Sequence, residues 1–127
     1  MVKERRKLHR RSFAYYMRVF DDRLDAPLGH LTDISVGGFQ LDCQQPVKED
    51  RAFQLRIEVP PELSAQPFMH FVARCKWCRV DPIDAHTYNV GFRIEEMTPE
   101  VSAVFKRMVE EFGSDTRPKT TDDYLWR

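Results

Sequence analysis

From residue 14 to residue 96 apolar and polar side chains alternate with a period of two, in short runs broken by Gly, Pro and Asp. That period is the signature of half-buried antiparallel strands. Phe53, Leu55, Ile57 and Val59 alternate with Gln54, Arg56 and Glu58 until Pro60-Pro61 ends the run. Phe71, Ala73, Cys75 and Trp77 alternate with Val72, Arg74, Lys76 and Cys78, and Tyr88, Val90, Phe92 and Ile94 alternate with Asn89, Gly91, Arg93 and Glu95. Between these two runs Asp81-Pro82-Ile83-Asp84 reads as a hairpin connection. Upstream, residues 15–20 and 29–34 flank an Asp21-Asp22 turn, and residues 39–43 follow Gly37-Gly38. Short strands with no interposed helix predict a barrel or a sandwich.

The period changes at Thr98-Pro99-Glu100, where an N-cap threonine, a proline at the first helical position and an early acid announce a helix. Val101, Val104, Phe105, Met108, Val109 and Phe112 then fall on one helical stripe, and Gly113 supplies a C-terminal cap. The stripe is expected to cover an end or a face of the β core. At 127 residues the chain suits one domain rather than two. The expected organisation is a basic arm over residues 1–13, a β domain with its helix over residues 14–113, and a polar, mobile tail over residues 114–127.

Lys and Arg balance Asp and Glu at 20 each, 42% of residues are hydrophobic, and no apolar run approaches the ~18–20 residues of a membrane span. An integral membrane segment is therefore not expected. Cations at the start are followed by no apolar stretch, and three cysteines make no disulfide framework, so the expected setting is reducing and cytoplasmic. The zero net charge conceals an asymmetry. Lys3, Arg5, Arg6, Lys7, Arg10 and Arg11 face a single Glu4 in the first 11 residues, which leaves the rest of the chain acidic. Such an arm fits either an anionic partner or a solvated terminus.

Several constellations in the sequence could carry chemistry. Cys75-Lys76-Trp77-Cys78 has a metal-site spacing, but residues three apart on a regular strand face opposite sides, and Cys43, His70 and His86 add no ligand spacing. His30, Asp33 and Ser35 lie too close together on one extended segment to build a nucleophile, base and orienter. No metal, cofactor or catalytic residue is expected. More informative is Asp33-Ile34-Ser35-Val36-Gly37-Gly38, where Asp33 and Ser35 share one strand face. Paired glycines there permit a close backbone approach or a positive φ. A carboxylate in that position suits the adjacent N–H donors of a guanine edge, although a plain turn fits the same residues. In the arm, Arg6 and Arg10 are planar forks that can bind phosphate oxygens, engage guanine O6 and N7, or stack on purines.

An Arg-xxx-Arg followed by Asp-x-Ser-x-x-Gly and a run of strands resembles the PilZ domain family, bacterial receptor modules for cyclic di-GMP. The resemblance covers roughly residues 4–112, including the strands of Trp77 and of Tyr88-Asn89-Val90-Gly91-Phe92 and the C-terminal helix. It implies a mainly β fold, a six-stranded antiparallel barrel with a C-terminal amphipathic helix and a flexible basic N-terminal arm. It also implies that Arg6 and Arg10 bind phosphates and stack on guanine, while Asp33, Ser35 and Gly38 form the guanine-facing surface. Arg5 occupies a position that in similar proteins influences whether one ligand or a stacked ligand dimer is held, and an arginine there implies the dimer. The segment after the second arginine, Arg11-Ser12-Phe13-Ala14-Tyr15-Tyr16, is more aromatic and less proline-like than is usual in the family. The function so implied is a non-catalytic, stand-alone cyclic di-GMP receptor that relays to a separate effector protein by ordering its arm, as a monomer or a ligand-dependent dimer. Two further readings are a PilZ-like adaptor that works through protein contacts without nucleotide, and a basic-armed nucleic-acid binder. The arm lacks an interleaved aromatic stacking platform, which argues against nucleic acid.

Overall fold

The period-two segments fold into strands in the computed structural model, which describes residues 17–112. Among the described residues the order is β1 (Arg18–Asp21), β2 (Ala26–Ser35), β3 (Gly38–Cys43), β4 (Ala52–Glu58), β5 (Phe68–Val80), β6 (Tyr88–Glu96) and a helix, α1 (Pro99–Phe112). All pairings are antiparallel, and neighbours follow the order β1-β2-β3-β6-β5-β4. The ladder from Val19↔Ile57 to Asp21↔Leu55 joins β4 back to β1 and closes the barrel, which decides between the two architectures that alternation alone allows. Closure leaves no open sheet edge among the described strands.

Strand bounds depart from the sequence pattern for physical reasons. β2 begins at Ala26, earlier than expected, because Pro27 pairs with Phe20 at a register shift, where a missing N–H is tolerated. β5 runs from Phe68 to Val80 because it serves two partners in turn, β4 along Phe68–Arg74 and β6 along Val72–Val80. The first strand begins at Arg18 among the described residues, and expected positions 15 and 16 lie outside them, as does the Gly113 cap.

Leu31, Ile34, Phe39, Leu41, Leu55, Ile57, Ala73, Cys75, Val90 and Phe92 fill the barrel at 0% exposure. Phe39 stacks on Phe92 at 5.2 Å between centroids, and Phe71 and Phe53 meet this pair edge-on. α1 follows the expected stripe. Phe105 and Met108 enter the core, Val101, Val104, Val109 and Phe112 pack around them, and Thr98 Oγ1 accepts the Val101 N–H at 3.2 Å as the N-cap. Arg107 donates to the Leu63 carbonyl at 2.7 Å and ties the helix to the β4–β5 connection.

Arg56 fixes the β1–β2 turn to the barrel wall. Its guanidinium donates to Asp22 at 2.8 Å and Asp25 at 2.6 Å while lying over the rings of Phe20 and Phe68. His70 also meets Asp22 at 2.8 Å, and hydrogen bonds to His70 and Arg56 outweigh partial desolvation to hold the Asp22 carboxyl below its usual range. Asp25 takes φ 53°, a left-handed conformation that Asp tolerates better than most residues. Arg56→Met keeps the stem but removes both ion pairs, so a thermal melt is expected to shift down by several degrees, with no shift expected if the pairs are idle.

Candidate ligand-binding site

The placement of Asp33 and Ser35 depends on a bulge. Leu31 pairs with Leu41 and Asp33 with Gln40, so Thr32 is an extra residue in β2. On a regular strand Leu31, Asp33 and Ser35 would share one face. The extra residue reverses the parity: Leu31 and Ile34 both point into the core at 0% exposure, and Asp33 and Ser35 are carried to the outer face. The Thr32 hydroxyl donates to the Gln40 carbonyl at 3.3 Å across this irregularity. One Asp33 oxygen accepts the Ile34 N–H at 2.9 Å, which orients the carboxylate, and Ser35 is buried at 5% exposure.

The strand registers extend this motif into a surface four strands wide. One row runs Asp33–Gln40–Gly91–Trp77 across β2, β3, β6 and β5, and the next runs Ser35–Gly38–Arg93–Arg74. Adjacent strands lie about 4.8 Å apart, so each row spans roughly 15 Å. The sequence pattern singles out only the β2 end and Gly38. The rest becomes visible once register is known, because Gln40 and Arg93 are unremarkable polar positions of alternating runs.

Two glycines shape the floor. A Cβ on Gly38 would run into the Phe92 carbonyl oxygen, so glycine allows β3 to close against β6. No glycine among the described residues has a positive φ, and close approach is the property Gly38 uses. A Cβ on Gly91 would strike the Trp77 indole, which therefore lies against the outer wall, with the Arg79 guanidinium 4.8 Å from its ring centre. This corrects the expectation that Trp77 shares the apolar face of Cys75. A second register shift between Cys75 and Trp77 turns the indole outward and brings Cys78 to pack against the core.

That same shift places Cys75 and Cys78 on one side, contrary to the opposite-face expectation. Their surroundings are unsuited to thiolate chemistry. Burial pushes the Cys43 and Cys75 thiols up to about 12, and Cys78 Sγ accepts the Val47 N–H at 3.4 Å. Among the described residues no group of His, Cys, Asp and Glu is arranged to hold a metal ion. His30 sits opposite Asp42 in the register rather than beside Ser35.

The outer surface carries cations at its β6–β5 end. Arg74 grips Glu95 through Nε at 2.6 Å and the Asp50 carbonyl at 2.9 Å, and the Arg74 hydrogen bond holds the Glu95 carboxyl below its usual range. Arg93 is exposed and forms no ion pair with another described residue. Toward the start of β2, His30, Thr32, Asp42 and Gln44 line a pocket of about 590 Å³ together with Pro27 and Leu28. Arg5, Arg6 and Arg10 lie outside the described residues. The chain that carries them joins the barrel at Met17, whose carbonyl accepts the Leu31 N–H at 3.0 Å, two positions from Asp33.

The PilZ domain family model matches residues 4–111. No curated protein matches the sequence. Among solved structures, the chain is similar to the Bacillus subtilis inhibitor of motility MotI/DgrA, with a TM-score of 0.57, 13% identity, and coverage of 74% of this chain and 44% of that one. It is also similar to the Borreliella burgdorferi PlzA protein solved in complex with c-di-GMP, with a TM-score of 0.50, 16% identity, and coverage of 80% and 46%. The chain thus spans less than half the length of either structure, and at these identities the likeness is one of fold. With a matching model over most of its length and the closed six-stranded barrel, this chain belongs to the PilZ domain family.

Proposed function

We propose that this protein is a non-catalytic cyclic di-GMP receptor, in which Asp33, Ser35 and Gly38 face the guanine while Arg6 and Arg10 bind phosphate and stack on the base. The observation that carries this reading is the bulge at Thr32, which turns Asp33 and Ser35 outward beside the point where the basic segment enters the barrel. Six residues lie between Arg10 and Met17, and the seven steps they make reach up to ~25 Å at about 3.5 Å per residue. That exceeds the width of the whole four-strand surface. Family membership and the c-di-GMP held by the PlzA neighbour support the same ligand.

Relay is part of the proposal. Binding would order the arm, residues 1–13, against the wall and change the surface offered to an effector protein, with part of the binding energy spent on that ordering. Arg5 would favour a stacked pair of ligands, and residues 114–127 are left as a tail outside the receptor unit. No cofactor or metal takes part in this mechanism, and the setting proposed is the cytoplasm.

Isothermal titration with cyclic di-GMP, GTP and cyclic di-AMP tests the reading. Selective binding of cyclic di-GMP is expected. Asp33→Ala should weaken it about tenfold and narrow the margin over the adenine nucleotide, because a charged acceptor for the guanine N–H groups is lost. Absence of binding by the unmodified protein at high ligand concentration would reject the receptor and favour the adaptor reading.

A further inference from the structure

We infer that Gln40 reads the guanine O6 and so sets base specificity at this site; the inference rests on the receptor reading above. Gln40 is the cross-strand partner of Asp33 on the outer face. Side chains directly opposite on antiparallel strands have Cβ atoms about 4.5–5.5 Å apart, close enough to contact one planar ring together. Phe39 and Leu41 on either side of Gln40 are fully buried, so alternation holds its amide on the ligand side of β3. Its side-chain amide makes no hydrogen bond to another described residue, while the Gln40 carbonyl is held by the Thr32 hydroxyl. Gly38, two positions earlier on the same face, puts no side chain beside it.

The chemistry of the pair is complementary to one base. An ionised carboxylate only accepts, whereas a glutamine amide carries two N–H donors. The Watson–Crick edge of guanine presents donors at N2 and N1 and an acceptor at O6, in that order. With Asp33 on N1–H and the 2-amino group, the Gln40 amide is placed at the lone pair of O6 nearer N1. The lone pair nearer N7 remains open to an arginine of the arm. Adenine presents an acceptor to Asp33 and a donor to the Gln40 N–H groups, so both contacts reverse sign and the base is rejected.

The test uses the full chain with Gln40→Leu and Gln40→Glu, each titrated with cyclic di-GMP and with cyclic di-IMP, whose hypoxanthine keeps O6 and N1–H but lacks the 2-amino group. Gln40→Leu should weaken both ligands by about fivefold, the size of one neutral hydrogen bond, and Gln40→Glu by more than tenfold, since a carboxylate would face O6. Equal loss on both ligands supports the O6 contact. Loss confined to cyclic di-GMP would mean that Gln40 touches the 2-amino group, and unchanged affinity for both would mean that it touches neither; either outcome overturns the inference. Binding of neither nucleotide by the unmodified protein would reject the receptor reading itself. Thermal melts of the variants, expected to match the parent because Gln40 lies on the outer face, separate a lost contact from a lost fold.

Discussion

Arg10→Ala is expected to lower cyclic di-GMP affinity by about 1.5–3 kcal/mol, a drop of roughly 10- to 150-fold, the largest effect of any single change at the proposed site. The magnitude follows from the chemistry of a guanidinium on a phosphodiester. Such hydrogen bonds are charge-assisted and two-pronged, and removing the fork leaves an anionic oxygen with water as its replacement. Arg10→Lys should recover only part of the loss, because an ammonium restores the charge without the planar fork or the stacking surface. The salt dependence should also flatten in the alanine variant, as one fewer ionic contact is screened. Titration at two ionic strengths checks both points. An affinity within twofold of the parent at both would remove Arg10 from the site.

Phe92→Ala is expected to be the most destabilising single substitution in the barrel, by about 3–5 kcal/mol against a total of some 5–15 for a domain of this size. Phe92 is fully buried, stacks on Phe39 and meets Phe53 edge-on, so its loss empties the middle of the core. It is also the residue between Gly91 and Arg93, and its carbonyl is the atom that Gly38 must avoid. The substitution should therefore loosen the proposed ligand-facing wall from behind. Chemical denaturation should show a midpoint far below that of the parent, and ligand binding should weaken in proportion to the unfolded fraction. Phe92→Leu, which keeps most of the volume, should recover most of both.

Much of this molecule is legible in its sequence. Strict alternation in residues 53–59 and 88–95 corresponds to β4 and β6, and Thr98-Pro99 marks the start of α1 because capping chemistry is local. Asp81 also behaves as its neighbours imply, its carboxylate accepting the N–H groups of Ile83 and Asp84 in the hairpin. What alternation does not display is where it breaks. Leu31 and Ile34 are both apolar and three apart, and so are Cys75 and Cys78, and each pair marks a strand that changes parity between its members. A rule of strict period two reads through such points and assigns Trp77 and Cys78 to the wrong sides. Gln40 and Arg93 were illegible for a different reason. Their significance lies in which residues stand across from them on neighbouring strands, and that depends on a closed register set by the whole core.

The single unpaired residue at Thr32 makes β2 behave like a reading frame. Substitutions along the strand act one at a time, but losing or gaining one residue between Leu31 and Asp33 would invert everything downstream, driving the carboxylate of Asp33 into the hydrocarbon interior and Ile34 into water. Variation in this stretch is therefore expected to proceed by replacement, with changes of length confined to the connections. The same logic limits transplantation. Asp-x-Ser-x-x-Gly grafted onto a regular strand of another barrel would carry the letters of the site without its orientation, and a working graft has to begin at Leu31 and bring the extra residue with it.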